Sequence, residues 1–132
     1  MKTITLLLAL LVPLSMAGSA HAEMVVVTGK GAPAVKLEQV CAAFLGKSAT
    51  PVPVNLPEGN ALRDEFFKKA CDKDAQQVKA TWSKLIFTGK AAAKPKEVAS
   101  GEDMKKLLAA DNALVGYVDR AQLDASLKAV AN

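Results

Sequence analysis

Short apolar runs of strand length alternate with amphipathic stretches of helix length along this chain, and that interleaving restricts the folds open to it more than any other feature. Met24-Val25-Val26-Val27 is a continuous apolar, β-branched run, closed by Thr28-Gly29-Lys30-Gly31, and reads as a buried strand entering a loop. Leu37, Val40, Cys41, Phe44 and Leu45 then repeat at helical spacing, with Gly46 placed to end the helix. Val52, Val54 and Leu56 alternate with Pro53 and Asn55 as a second strand, in which Pro53 lacks a ladder donor and predicts an edge or irregular pairing. A helix starts after Asn60 along Leu62, Phe66 and Ala70. Another starts after Asp74, which forms a capping box with Gln77, and continues through Val78, Trp82 and Leu85. Residues 88–97 carry Gly89, three alanines and Pro95 and read as a loop. Ser100 caps a helix with Met104, Leu107 and Leu108 on its apolar stripe. Leu114–Val118 is a strand, Asp119–Leu123 a helical turn, and Leu127–Val130 a short final strand. The pattern predicts an α/β domain with helices covering a mostly parallel sheet.

The N-terminus limits how much chain is available to that domain. Lys2 precedes an apolar stretch from Ile4 to Leu14, and Ala20-His21-Ala22 supplies the small-x-small pattern of a cleavage site. Residues 1–22 therefore read as a cleaved signal peptide and 23–132 as the mature domain, expected in the periplasm. The apolar run is too short to span a bilayer core of roughly 30 Å, and Glu23 after the cut offers no thiol for lipid attachment, so no membrane anchor is expected. Of 132 residues, 110 remain after Ala22, enough for one domain.

The charge and the missing residue types exclude several functions. The precursor holds 17 Lys+Arg and 13 Asp+Glu; removal of Lys2 leaves a mature net charge of +3. The one histidine, His21, lies in the leader, so the mature domain has no imidazole for a nucleophilic triad, a zinc site or a general base. With no catalytic motif, metal-ligand spacing or cofactor signature in view, the sequence is read as a non-enzyme. Nucleic-acid binding is not expected, because Arg63 and Arg120 are the only arginines and the lysines are interleaved with acids, without an aromatic platform. Gly46-Lys47-Ser48 imitates the end of a P-loop, but the position five residues earlier is Cys41 and a helix, not a strand, precedes it. Cys41 and Cys71 lie on two different predicted helices; in an oxidising compartment they read as a disulfide, and otherwise as two buried thiols. Most aromatics share stripes with aliphatic residues and read as core. Tyr117 is placed where its hydroxyl would reach an edge or cleft, and Phe67, off the main stripe, reads as an exposed patch for a partner.

Several of these segments, taken in order, resemble a known family: Phe44-Leu45-Gly46-Lys47-Ser48, then Pro53-Val54-Asn55-Leu56-Pro57-Glu58-Gly59-Asn60 leading to Arg63-Asp64-Glu65-Phe66, then Trp82 with Phe87-Thr88-Gly89-Lys90, and last Val115-Gly116-Tyr117-Val118. They resemble the phosphate-type periplasmic substrate-binding proteins of ABC transporters, and more closely their small one-lobe relatives. The resemblance implies a single lobe of the type II periplasmic-binding architecture, in which two α/β lobes close over an anion. It also implies a small, phosphate-like anion as ligand, and an ABC permease as one partner. Where that family presents Ser-Asp-Gly-Ser-Gly-Thr to the anion, this chain has Glu58, Gly59, Asn60, Ala61 and Leu62 at the matching positions from Asp onward, so the hydroxyls are lost. A glycine, a helix N-terminus with its unpaired N–H groups, and Arg63 remain. Asn55, Glu58, Gly59, Asn60 and Arg63 form the candidate ligand site, with Thr28 added from the end of the first strand; a plain strand-to-helix turn is the competing reading. A lone lobe binds in the open unless a homodimer places two 55–63 turns face to face. The alternative function is a periplasmic interaction or assembly module with a protein partner and no small ligand.

Overall fold

A computed structural model describes residues 23–131, so the leader assignment lies outside the described residues. The strands are β1 (Met24–Gly29), β2 (Val52–Asn55), β3 (Lys96–Glu97), β4 (Leu114–Asp119) and β5 (Leu127–Ala129). The helices are α1 (Leu37–Phe44), α2 (Ala61–Cys71), α3 (Ala75–Phe87) and α4 (Gly101–Ala110). A 3₁₀ turn at Arg120–Gln122 links β4 to β5. Local chemistry sets most boundaries. The Asn60 side chain accepts from the amides of Leu62 and Arg63 at the start of α2, Asp74 and Gln77 cap each other's backbone at α3, and Ser100 accepts from Asp103 N–H at α4. Gly46, at φ +75°, ends the α1 turn in a conformation that costs other residues strain. A Cβ there would also stand 2.5 Å from Leu85 Cδ1.

The sheet order is β3-β2-β4-β1-β5. β2 runs parallel to β3 and to β4, whereas β1 is antiparallel to both β4 and β5. Four strands thus share one direction, as a mostly parallel sheet requires, and β1 alone runs against them. Within residues 88–97, read as loop, the chain forms β3. Two residues are too few to show a period, and the strand exists because β2 offers it an edge. β2 is an interior strand, not an edge. Pro53 is accommodated because Val52 N–H points to β4, accepted by Ala113 O at 2.9 Å, which turns the Pro53 nitrogen to the other side, short of where β3 begins at Val54.

Helices cover both faces of the sheet. A Cβ on Gly116 would meet Met104 Sδ at 2.5 Å, so α4 lies tight against that face. The next residue, Tyr117, points to the opposite face, where its ring stacks on Phe66 with centroids 4.5 Å apart and planes 8° from parallel. Phe44 and Phe67 complete that aromatic cluster, and the main core joins it to Val27, Val40, Val54 and Val115. Phe67, expected as an exposed patch, is buried. α2 packs against the sheet on one side and α3 on another, so adjacent residues Phe66 and Phe67 both find cover. Cys41 of α1 is disulfide-bonded to Cys71 at the end of α2, with Cα atoms 5.5 Å apart.

Candidate functional site at the β2–α2 turn

The site is assembled where β2 leaves the sheet. Asn55 is the last residue of β2, and its buried Oδ1 accepts from the Tyr117 hydroxyl at 2.8 Å; the same hydroxyl accepts from Leu56 N–H at 3.1 Å. The tyrosine, expected to reach an edge or cleft, is instead fully buried and locks the exit of β2 to β4. Burial holds its phenol well above the usual pKa, an effect the Leu56 amide only partly offsets. Tyr117 is the only tyrosine in the chain. The folded protein should therefore show no tyrosinate absorbance on passing pH 10, and the signal should emerge together with loss of far-UV circular dichroism. Above the unfolded-state pKa, this one group lowers stability by about 1.4 kcal/mol per pH unit. A tyrosinate signal near pH 10 from protein that is still folded would contradict the buried hydroxyl network.

Beyond Leu56, the turn closes through Asn60 N–H donating to Pro57 O at 3.1 Å, with Gly59 at φ +84°. Nothing lies within 4 Å of a Cβ placed on Gly59. Its glycine is thus required by backbone conformation, and the space before it is open. Asn60 caps the helix at 2.9 Å and 3.3 Å, so two N–H groups expected to be free for an anion are already satisfied by the protein's own amide oxygen.

Arg63, one turn into α2, is buried to within 8 %. Its Nη1 donates to Leu56 O at 2.8 Å and to Glu97 Oε1 at 3.0 Å, and its guanidinium lies 5.9 Å from the Phe67 ring centroid. Among the described residues both side-chain bonds leave from Nη1. The Nε–Nη2 edge, the fork that receives an oxyanion side-on, makes none. Arg63 lines a cavity of about 160 Å³ between the turn, α2 and α3, with Glu58, Gly59, Asp64, Val78 and Lys79. That volume is several times the roughly 30 Å³ a water occupies in the liquid. Two cations face two carboxylates there, so the wall is balanced and not cationic. Glu58 forms an exposed ion pair with Lys94 at 3.4 Å, whose hydrogen bond and charge hold the Glu58 carboxyl below its ordinary pKa.

Asn55, Glu58, Gly59, Asn60 and Arg63 lie along one turn, but of these only Glu58, Gly59 and Arg63 line the cavity; Asn55 is buried against Tyr117 and Asn60 is used as the helix cap. The structure does not bring Thr28 there. Thr28 pairs with Val115, and Asn55 leaves the sheet two residues further along β4, beside Tyr117; because β1 runs antiparallel, its end lies toward the opposite end of the sheet. Thr28 there lines a separate, largely apolar cavity of about 300 Å³ with Val35, Pro51, Val52 and Leu114. Glu97, Lys79 and Lys94 are not among the site residues the sequence predicts, where lysines such as Lys94 read as a solubilising face. Glu97 stands 34 residues from Arg63 and meets it only through β3. Among the described residues no group of three or more His, Cys, Asp or Glu could hold a metal ion.

The same architecture occurs in solved structures. A protein from Clostridium perfringens, described as a phosphate ABC transporter substrate-binding protein and solved with bound phosphate, superposes with a TM-score of 0.62 at 18% identity. An ABC-type phosphate transport receptor from Vibrio cholerae superposes at 0.59 and 17% identity. The fold is that of one part of these two proteins. The match covers 81% of this chain but only 43% and 44% of those two proteins, so the chain spans less than half of their length. No family model and no curated protein matches the sequence.

Proposed function

We propose that this chain is a non-enzymatic, exported binding protein, one lobe of the phosphate-receptor type, and that it takes a small protonated oxyanion such as hydrogenphosphate at the β2–α2 turn. The observation that carries this reading is Arg63, anchored through Nη1 with its other edge uncommitted on a cavity wall. Fixing the guanidinium before the ligand arrives removes part of the entropic cost of binding. Lys79 adds a second cation, and Glu58 accepts a hydrogen bond from a protonated ligand oxygen while repelling a fully ionised one. An ABC permease is the partner that fits this reading. The capping of the α2 amides by Asn60 favours a second reading, in which the anion site is reduced to a structural turn and the lobe serves as a protein-interaction module.

Thermal unfolding of the chain from Glu23 onward, with phosphate, sulfate, acetate or chloride at matched ionic strength, separates the two. At 100 times its dissociation constant, phosphate should add about 2.7 kcal/mol and raise the midpoint by about 10 °C relative to chloride. Lys79→Gln should weaken that response, and Arg63→Lys, which keeps the charge but loses the fork, should weaken it further. Equal midpoints in all four salts would leave the interaction module as the better account. A second copy of the chain completing the cleft would appear as a phosphate-dependent dimer in sedimentation.

A further inference from the structure

The anion site leaves one prominent surface feature unused. Phe87 is 92% exposed and its neighbour Ile86 is also exposed, whereas the other phenylalanines are buried. The two are not on a loose end. Thr88 N–H donates to Lys84 O at 2.9 Å, Lys90 N–H to Leu85 O at 2.9 Å and Gly89 N–H to Ile86 O at 3.1 Å, with Gly89 at φ +74°, so the end of α3 is closed by a glycine cap. The fold therefore holds an aromatic ring out in water in a fixed position, forgoing the stabilisation its burial would give.

The charged residues nearest this tip in sequence are lysines. Between Asp74 and Glu97 the sequence carries Lys79, Lys84, Lys90, Lys94 and Lys96 and no other charged residue; of these Lys94 pairs with Glu58 and Lys79 lies in the cavity wall with Glu58 and Asp64. Lys84 and Lys90 flank the exposed pair in sequence and make no ion pair among the described residues. Ala92 and Ala93 extend the exposed apolar surface beyond the cap. An exposed aromatic flanked by two lysines without ion pairs calls for a surface that is apolar beneath and anionic above. The residue types point to the kind of surface. Protein interfaces are depleted in lysine and use arginine with their aromatic anchors, whereas lysines beside an apolar residue are the pattern of peripheral attachment to acidic lipid.

We propose that the capped end of α3 is a peripheral docking tip for an anionic bilayer surface, with Phe87 and Ile86 entering the headgroup boundary and Lys84 and Lys90 meeting acidic headgroups. This rests on residues separate from those that line the cavity beside Arg63.

The test is co-sedimentation of the chain from Glu23 onward, so that the apolar run 4–14 takes no part, with vesicles of phosphatidylethanolamine and phosphatidylglycerol. Vesicles of phosphatidylcholine alone serve as the neutral control. Binding is expected to the acidic vesicles only and to fall steeply as salt is raised. Phe87→Ser should weaken it about tenfold, and Lys84→Gln and Lys90→Gln about fivefold each. These side chains are exposed, so the variants should retain the parent's unfolding midpoint, which is checked alongside. Phe87→Trp should show a blue shift of its fluorescence on acidic vesicles, over the constant signal of buried Trp82. Inorganic phosphate at matched ionic strength should not compete; competition would mean that lipid phosphate occupies the Arg63 cavity and would overturn the assignment to α3. Absence of binding to acidic vesicles, or binding indifferent to Phe87→Ser, would overturn it equally, and would turn attention to an acidic protein partner.

Discussion

Replacing Phe66 with alanine should destabilise the protein by about 4 kcal/mol, the largest single-residue effect expected here. Phe66 is fully buried, and three aromatic rings surround it: Phe44 at 4.6 Å, Phe67 at 5.0 Å and Tyr117 at 4.5 Å between centroids. Removing the ring forfeits its transfer energy, leaves a cavity whose aromatic walls are too rigid to fill it, and cancels stacking beyond simple area burial. Against a total of roughly 5–15 kcal/mol for a typical domain, that loss is a large part of the whole. The damage should extend to the site. Tyr117 holds Asn55 and Leu56 from beneath, and Phe67 lies under Arg63, so both groups depend on the packing Phe66 provides. Phe66→Leu, which keeps most of the volume, should cost about 1.5 kcal/mol. Urea unfolding of the three proteins at equal m-value measures the difference. A loss below about 1 kcal/mol for Phe66→Ala would show that this cluster does not organise the core.

The features legible in the sequence are those governed by neighbours a few residues apart. Asn60, the Asp74–Gln77 box and Ser100 cap helices in the structure as their spacing implies, because a cap is settled within one helical turn. The closeness of Asn55, Glu58, Gly59, Asn60 and Arg63 along one turn follows for the same reason: the five residues 56–60 that join strand to helix have few places to go. What the sequence withholds is long-range. The direction of β1 is carried by no residue within it, and that direction alone separates Thr28 from the turn. The ion pair of Arg63 with Glu97 depends on a two-residue strand that exists only after β2 has formed. Phe67 looked like a surface residue because a helix with one buried side exposes positions next to its stripe; a helix covered on two sides does not. The resemblance to phosphate receptors supplied the architecture that residue periodicity left open between several α/β arrangements. It also led to an expectation of free helix amides, two of which Asn60 already takes.

Reducing the Cys41–Cys71 bridge should lower stability by about 3–4 kcal/mol, an estimate that comes from the chain it closes. The two residues are 30 apart in sequence, and the bridge joins α1 to the end of α2. Cross-linking a loop of that length removes conformational freedom chiefly from the unfolded state, so the native fold need not change when the bond is cut. The midpoint of thermal unfolding should fall by roughly 15 °C in reductant, and Cys41→Ala combined with Cys71→Ala should reproduce most of that fall. The aromatic cluster and the Asn60 cap contain no sulfur, so near-UV circular dichroism well below the lowered midpoint should persist. These outcomes bear on compartment as well as stability. A domain of this size has a limited core, and one that draws several kcal/mol from a disulfide is suited to an oxidising environment and poorly suited to a reducing one. Chain lacking residues 1–22 and produced in a reducing cytoplasm should therefore show two titratable thiols and faster proteolysis than the disulfide-bonded protein. Equal midpoints with and without reductant, with both thiols shown to be free, would remove the bridge from the stability of the fold and this support for export with it.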